Sequence, residues 1–218
     1  MDISCIVLAL PGVLLFTLFV AAIIKLMSRG AVLIRQERIG VGCGPFDCFK
    51  FRTMHVGADT GVHQQHLKHL LRCNTPMTKM DSMGDPRLIR FGALLRATGL
   101  DELPQLINVL RGEMSLVGPR PCLSYELEFY RPWQRERFNT LPGLTGLWQV
   151  RGKNKTTFTE MIQLDIQYAR TKSLLLDLRI LAATFGTLAS QLKEVRATSQ
   201  RRMGREADSA GNIRTEAA

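Results

Sequence analysis

Two adjacent carboxylates, Asp101 and Glu102, open a stretch in which Leu103, Leu106, Ile107 and Leu110 recur at the i, i+3, i+4, i+7 spacing of an amphipathic helix. Neighbours on a helix diverge by about 100°, so the pair is not arranged to share one proton. At a helix N-terminus, exposed backbone N–H groups and the dipole favour negative charge. An Asp101 held ionised there can act as a nucleophile, and Glu102 can hold a divalent cation. Acidic residues in a first turn also serve as ordinary caps, so the pair takes its meaning from its surroundings.

Those surroundings are cationic. Lys50 and Arg52 lie in FKFRT, Arg87, Arg90 and Arg96 precede the acid pair, and Arg120 stands between Pro119 and Pro121 in GPRP. Flanking prolines fix the backbone and aim a forked donor in one direction. Arginine grips phosphate oxygens two at a time. An acid pair among such groups suits phosphoryl transfer, where positioning and charge neutralisation do most of the catalysis. Lys50, Arg87, Arg96 and Arg120 are the candidate phosphate-binding groups. A single arginine is also explained by a solvated basic face near lipid, and for Arg120 neither explanation prevails on sequence alone.

Other patterns carry less. His63, His66 and His69 advance by three, each step turning about 300° around a helix, so they do not converge on one metal. Residues 131–155 hold Arg131, Arg135, Arg137, Arg151, Lys153 and Lys155 against Glu136 alone, with Trp133, Phe138 and Trp148 interleaved and Tyr130 just before. Such a segment can bind nucleic acid. Beside a membrane segment, basic residues with Trp and Tyr more often mark the lipid interface. There is no Walker loop, GxGxxG or GxSxG motif. The five cysteines are scattered and form no CxxC pair, which points to reduced, cytosol-facing thiols and not to a disulfide framework or zinc site.

These groups need a scaffold. The chain has 218 residues with a net charge of +10, enough for one domain with an appendage. Its 22% charged content excludes wholesale disorder and a multi-span transporter. Residues 3–24 carry no charge and are long enough to cross a hydrocarbon core about 30 Å thick. No basic residue precedes them and no small-residue cleavage site follows, which argues against a signal peptide. Pro11-Gly12 divides the run and predicts a kink or break. Hydropathy alone favours a kinked span over a helix that enters and returns to the same face. Lys25, Arg29, Arg35 and Arg38 follow, and in either case place the remainder in the cytoplasm, where anionic headgroups are its partner.

Residues 31–54 read as strand, Gly-rich turn and strand. Residues 55–83 are polar, with a short helical stretch near 63–73. An amphipathic helix is predicted over 86–97, with Leu88, Phe91, Leu94 and Leu95 on one face. The clearest helix is 101–111, with Pro104 in its first turn and Gly112 as its stop. MSLVGPRP (114–121) predicts a strand entering a rigid turn. Further helices are predicted at 123–138, 159–170 and 174–192, the last either a core helix or one lying on the bilayer. Residues 193–218 read as a disordered tail.

KFRTM (50–54), DPRLIRFGALLRATGLDELPQLINVLRGEMSLVGPRP (85–121) and LPGLTGLWQVRGKN (141–154) resemble the bacterial sugar transferases, the monotopic polyprenyl-phosphate phosphoglycosyl transferases that initiate exopolysaccharide, O-antigen and glycan assembly. The resemblance runs from about Asp2 to about residue 190. It implies transfer of a sugar 1-phosphate from a nucleotide sugar, with uridine as base, to a polyprenyl phosphate. It makes Asp101 the nucleophile of a covalent phosphosugar intermediate and Glu102 a ligand of Mg²⁺. Lys50, Arg96 and Arg120 are then expected at the phosphates. It also implies a re-entrant helix over residues 1–30, broken near Pro11–Leu15, which reverses the preference from hydropathy. Residues 31–192 become a cytosolic catalytic domain at the bacterial inner membrane. The expected fold is mixed α/β, mostly helical, with amphipathic surface helices. Expected partners are the nucleotide sugar, polyprenyl phosphate and membrane lipids, with a homodimer left open and no nucleic acid.

The chain departs from the family pattern in four places. The usual basic pair before the first helix is replaced by Met1-Asp2. The usual Ser-Pro break would fall at Leu14-Leu15, one turn beyond Pro11. Gly99 stands where Ser is common, and Lys153 where Arg is usual. Two readings from other classes remain: a catalytically silent membrane adaptor of the same fold, against which the intact Asp101, Glu102 and Arg120 speak, and a membrane-anchored nucleic-acid-binding protein, marked by steep salt dependence.

Overall fold

The computed structural model describes residues 1–55, 57, 61, 65, 75–76, 85, 87–89, 91–152 and 156–190. The predicted helical stretch near 63–73, the three histidines, Arg90, Lys153, Lys155 and the tail at 193–218 lie outside the described residues. Among the described residues the architecture is mostly helical with two small two-stranded sheets.

Helix α1 (Asp2–Met27) is the one described helix long and apolar enough to cross a membrane. The break expected near Pro11–Leu15 does not interrupt it: the backbone stays helical through Pro11 and Gly12. A proline removes one donor from the ladder, and the flanking turns are long enough to carry the helix past it. The rest of the chain holds α1 mainly by its two ends. Near the first, Asp2 Oδ2 accepts hydrogen bonds from Ser115 Oγ at 2.6 Å and from the Leu116 amide at 3.2 Å, and Ile6 packs with Cys48, Val109 and Met114. Near the second, Val20 and Ile24 pack with Phe51, Ile89 and Leu95, and Arg52 donates to the carbonyls of Arg29 and Ser28. Between them Leu8, Leu14, Leu15 and Phe19 are exposed.

Strands β1 (Leu33–Ile39) and β2 (Pro45–Phe51) form the predicted antiparallel hairpin, in a register that pairs Arg35 with Phe49 and Ile34 with Lys50. The helix predicted over 86–97 is shorter. Residues 87–89 follow a turn from Asp85 and bridge 53–55, with the His55 amide donating to Arg87 O and the Ile89 amide to Thr53 O, both at 2.9 Å. Only Gly92–Thr98 is helical (α2). A side chain at Gly92 would come within 2.3 Å of Thr53 O, so close approach of the two segments decides the backbone here.

The stretch predicted as one helix at 101–111 divides into a 3-10 helix (Leu100–Gln105) and a short α3 (Leu106–Leu110). Pro104 has no N–H for the α ladder. The buried face also differs from the apolar stripe: Asn108 and Val109 are buried, whereas Ile107 and Leu110 are exposed. Strand β3 (Ser115–Val117) then pairs in parallel with β4 (Gly143–Thr145), a strand too short to show a period in the sequence. A Cβ at Gly143 would sit 2.1 Å from the Gly118 amide nitrogen, so the two strands meet where side chains are missing.

The helix predicted at 123–138 is two 3-10 segments, Ser124–Phe129 and Pro132–Asn139, parted by an extended Arg131 that precedes a proline. Helices α4 (Leu147–Gly152) and α5 (Phe158–Thr171) follow, the latter opened by a Thr157–Glu160 capping box. A last helix, α6, covers 174–190. One face belongs to the core, where Ile180 packs with Val117, Leu147 and Tyr168, while Leu174, Leu175, Leu178 and Phe185 are exposed. The lipid-interface pattern of 131–155 is corrected in part. Tyr130, Phe138 and Trp148 are core residues and Arg137 is buried; Trp133 stays exposed.

Candidate active site

Gly99 adopts a left-handed backbone (φ 71°, ψ 7°) that ends α2 and turns the chain into the 3-10 helix. The Glu102 amide donates to Gly99 O at 3.1 Å. This turn presents the two carboxylates differently: Asp101 is 8% exposed, whereas the Glu102 side chain is 37% exposed. Because the first turn belongs to a six-residue 3-10 helix and not to a long α-helix, less dipole stands behind the pair than the sequence suggests.

Strand β2 faces this turn. Lys50 Nζ donates to Glu102 Oε1 at 3.2 Å. The spacing between strand and turn is set by Asn108, which is fully buried. Its Oδ1 accepts from the Phe49 amide at 3.1 Å and its Nδ2 donates to Asp47 O at 2.7 Å. The side-chain amide thus occupies the edge of β2 as a neighbouring strand would. Nδ2 also donates to Glu113 Oε2 at 2.6 Å, which orients the amide.

Arg120 arrives on the turn that follows β3. The Cys48 thiol is pushed up by burial, and Lys50, Arg38, Glu102 and Arg120 all act on it through charge. Arg38 itself is buried and donates to Pro121 O at 3.0 Å and to Gln36 Oε1 at 2.7 Å. Its guanidinium is pulled below its ordinary range by burial and next by Arg120. Among the described residues, no carboxylate pairs with Arg120 and no carbonyl accepts from its guanidinium. Two cations acting on each other, one of them without an acceptor among the described residues, make an electropositive place suited to an anion.

Arg87 and Arg96 form a second cationic group, around Asp85. Arg87 Nε donates to Asp85 Oδ1 at 2.8 Å and its NH2 group to Oδ2 at 2.6 Å. The Arg87 hydrogen bond holds the Asp85 carboxyl below its usual range, with Arg96 adding to it from farther off. So Lys50 and Glu102 pair next to Asp101, and Arg120 acts through charge on the same Cys48 thiol as they do, while Arg87 is already gripped by an acid of its own.

Among the described residues no three His, Cys, Asp or Glu side chains cluster as a metal set. Mg²⁺ does not require one, since it binds through one or two carboxylates and completes its shell with waters and substrate phosphates. A partly exposed Glu102 next to Asp101 fits that mode.

Sequence reading missed Arg38, Asn108, Arg137 and Asp165, all buried. Asn108 carried a signal, a polar amide flanked by Ile107 and Val109. Arg137 carried none that separates it from its surface neighbours.

The family model of the bacterial sugar transferases matches residues 1–191. An exopolysaccharide production protein ExoY of Sinorhizobium fredii is 37% identical over 183 residues, covering 84% of this chain and 81% of the relative. A UDP-glucose:undecaprenyl-phosphate glucose-1-phosphate transferase of Caulobacter vibrioides is 42% identical over 179 residues, covering 78% and 61%. An undecaprenyl-phosphate galactose phosphotransferase of Salmonella typhimurium is 39% identical over 161 residues, and the match covers 71% of this chain but 33% of that longer protein. The matched span takes in Lys50, the Asp101-Glu102 turn and Arg120, and the chain belongs to the bacterial sugar transferase family.

Proposed function

We propose that this enzyme transfers a sugar 1-phosphate from a nucleoside diphosphate sugar, with uridine as the base, to a polyprenyl phosphate, the first membrane step of polysaccharide assembly. The Asp101 carboxylate attacks the phosphorus that bears the sugar. A bond from Asp101 oxygen to phosphorus forms as the bond to the bridging diphosphate oxygen breaks, and the electron pair leaves with the nucleoside monophosphate. A phosphate oxygen of the acceptor then attacks the same phosphorus and releases the Asp101 carboxylate. Both attacking groups are anions, so neither displacement requires a base.

Lys50 and Arg120 neutralise phosphate oxygens as charge shifts to the leaving group, with Arg87 and Arg96 as further phosphate contacts. Glu102 would hold Mg²⁺, whose chemistry is neutralisation of diphosphate charge. Helix α1 lies in the cytoplasmic leaflet of a bacterial inner membrane with both ends on the cytoplasmic face. Support for that topology comes from the bonds that tie Asp2 and Ser28 to the same body, and from the exposed apolar middle between them.

One observation carries the reading: Lys50 meets the acid turn at 3.2 Å, and Arg120, whose guanidinium has no acceptor among the described residues, acts on the same buried Cys48 thiol as Lys50 and Glu102. The test supplies membranes containing the protein with polyprenyl phosphate, Mg²⁺ and a panel of nucleotide sugars, and measures monophosphate release. Release with one donor is expected. No release with any donor, from folded protein, would make the chain a silent adaptor.

A further inference from the structure

Behind Arg120, four successive carbonyls of one turn each accept a hydrogen bond. Pro119 O accepts from the Gly143 amide at 2.8 Å, Arg120 O from Arg137 at 2.6 Å, Pro121 O from Arg38 at 3.0 Å and Cys122 O from the Ile39 amide at 2.9 Å. Pro119 and Pro121 have no N–H of their own, so the turn is held through its carbonyls. Two of the donors are main-chain amides. The other two are buried guanidiniums.

Arg137 is the costlier of these. It is 1% exposed, and besides Arg120 O it donates to Asp165 Oδ2 at 2.5 Å and to the Tyr130 hydroxyl. Asp165 is wholly buried; among the described residues its Oδ1 has no hydrogen-bond partner, and neither has Arg137 Nε. Burial pushes the Asp165 carboxyl up to about 7 even though Arg137 pulls the other way. A desolvated pair with unsatisfied atoms stabilises a fold no better than apolar residues of similar volume. Such residues could not hold the Arg120 carbonyl.

We propose that the Arg137–Asp165 pair positions Arg120: Asp165 orients Arg137, Arg137 fixes the main chain at Arg120, and the direction of the Arg120 guanidinium follows. The inference rests on Arg120 being a phosphate-binding group. Neither Arg137 nor Asp165 touches substrate, so both are positioning residues.

The test replaces the pair together, Arg137→Met with Asp165→Leu, in the full-length membrane protein, with and without Arg120→Ala. The apolar pair is expected to keep the wild-type unfolding midpoint. It should lower kcat about 10-fold or more with KM for the donor little changed, since an ångström of misplacement costs up to about 100-fold. In the Arg120→Ala background the same pair should cost less than about 3-fold, because residues acting through one group are not additive. Should the apolar pair fail to fold, Asp165→Asn, which keeps an acceptor for Arg137 and removes its charge, enters the same cycle. Wild-type kcat in the folded variant would overturn the proposal, and so would an undiminished loss without Arg120. If Arg120→Ala itself were fully active, the reading of Arg120 would fall and this inference with it; an impaired Arg120→Ala with additive losses would sink the inference alone.

Discussion

Asp2 and Ser115, 113 positions apart, are hydrogen-bonded at 2.6 Å, and the same Asp2 oxygen accepts from the Leu116 amide. The contact ties the first turn of α1 to the strand that leads into Arg120. Val20, Ile24, Ser28 and Arg29 tie the last turns to the hairpin and α2. On the topology proposed above, both ends of this helix lie on one side of the bilayer. Cys5 is exposed and near the first end, so a variant keeping only that thiol is a ready probe. It should resist an impermeant thiol reagent added outside intact cells and react once they are opened. Prompt labelling from outside would establish a span.

Asp101→Asn keeps the shape of a nearly buried side chain and removes its charge. Turnover should fall by several orders of magnitude, because the amide is no nucleophile. Wild-type protein given sugar-labelled donor without acceptor should retain label at Asp101. Comparable turnover in the variant would remove Asp101 from the chemistry.

Glu102 is shared between Lys50 and the solvent. Glu102→Gln should lose most activity, and excess chelator should abolish activity in the wild type. Full turnover in chelator would exclude a divalent cation. The Lys50–Glu102 pair is open to solvent at its Glu102 end and adds little to stability, so the unfolding midpoint of Glu102→Gln should stay close to wild type.

Asn108 makes a prediction of the opposite kind. Asn108→Ala leaves the Phe49 amide and Asp47 carbonyl without their partner, a loss of about 2–4 kcal/mol. Asn108→Asp keeps the acceptor but turns a donor toward Glu113 into a second carboxylate. It should be destabilised more at neutral pH than at low pH, as denaturant unfolding at both would register.

Asp85 supplies a pH dependence. Its carboxyl is held below the usual range in the folded protein by Arg87, so its contribution is present above the unfolded carboxylate value, near 3.8, and is lost as pH falls through the lower folded value. Asp85→Asn should therefore be less stable than wild type at pH 7, and the difference should close as pH drops below about 4. A difference unchanged over that range would show that the Arg87 contact contributes nothing through charge.

The hairpin, α5 and the apolar α1 were legible because each carries its own periodicity or turn chemistry, as GVGCGP marks the hairpin turn. The acid pair, Lys50 and Arg120 were legible because charged residues stood in unusual company. Where apolar periodicity was read as core, it failed at Ile107 and Leu110, which are exposed, while Asn108 beside them is buried. In a protein with an apolar outer face, a hydrophobic stripe does not by itself tell the inside from the outside. The short segments at 87–89 and 143–145 take their form from partners distant in sequence. The buried Arg137–Asp165 pair was unreadable for the same reason, since an arginine's burial depends on an acid 28 residues away.

Ile6, Val20 and Ile24 each fill part of a core shared with residues made later in synthesis. Synthesis delivers α1 first, and its partners Phe51, Leu95 and Met114 emerge only afterwards. On the proposed topology the helix waits in the lipid before the body closes onto it, and the body completes its packing at the membrane surface. A chain trimmed of α1 would leave Cys48, Phe51 and Leu95 facing water, so it should aggregate and not persist as a soluble catalytic fragment.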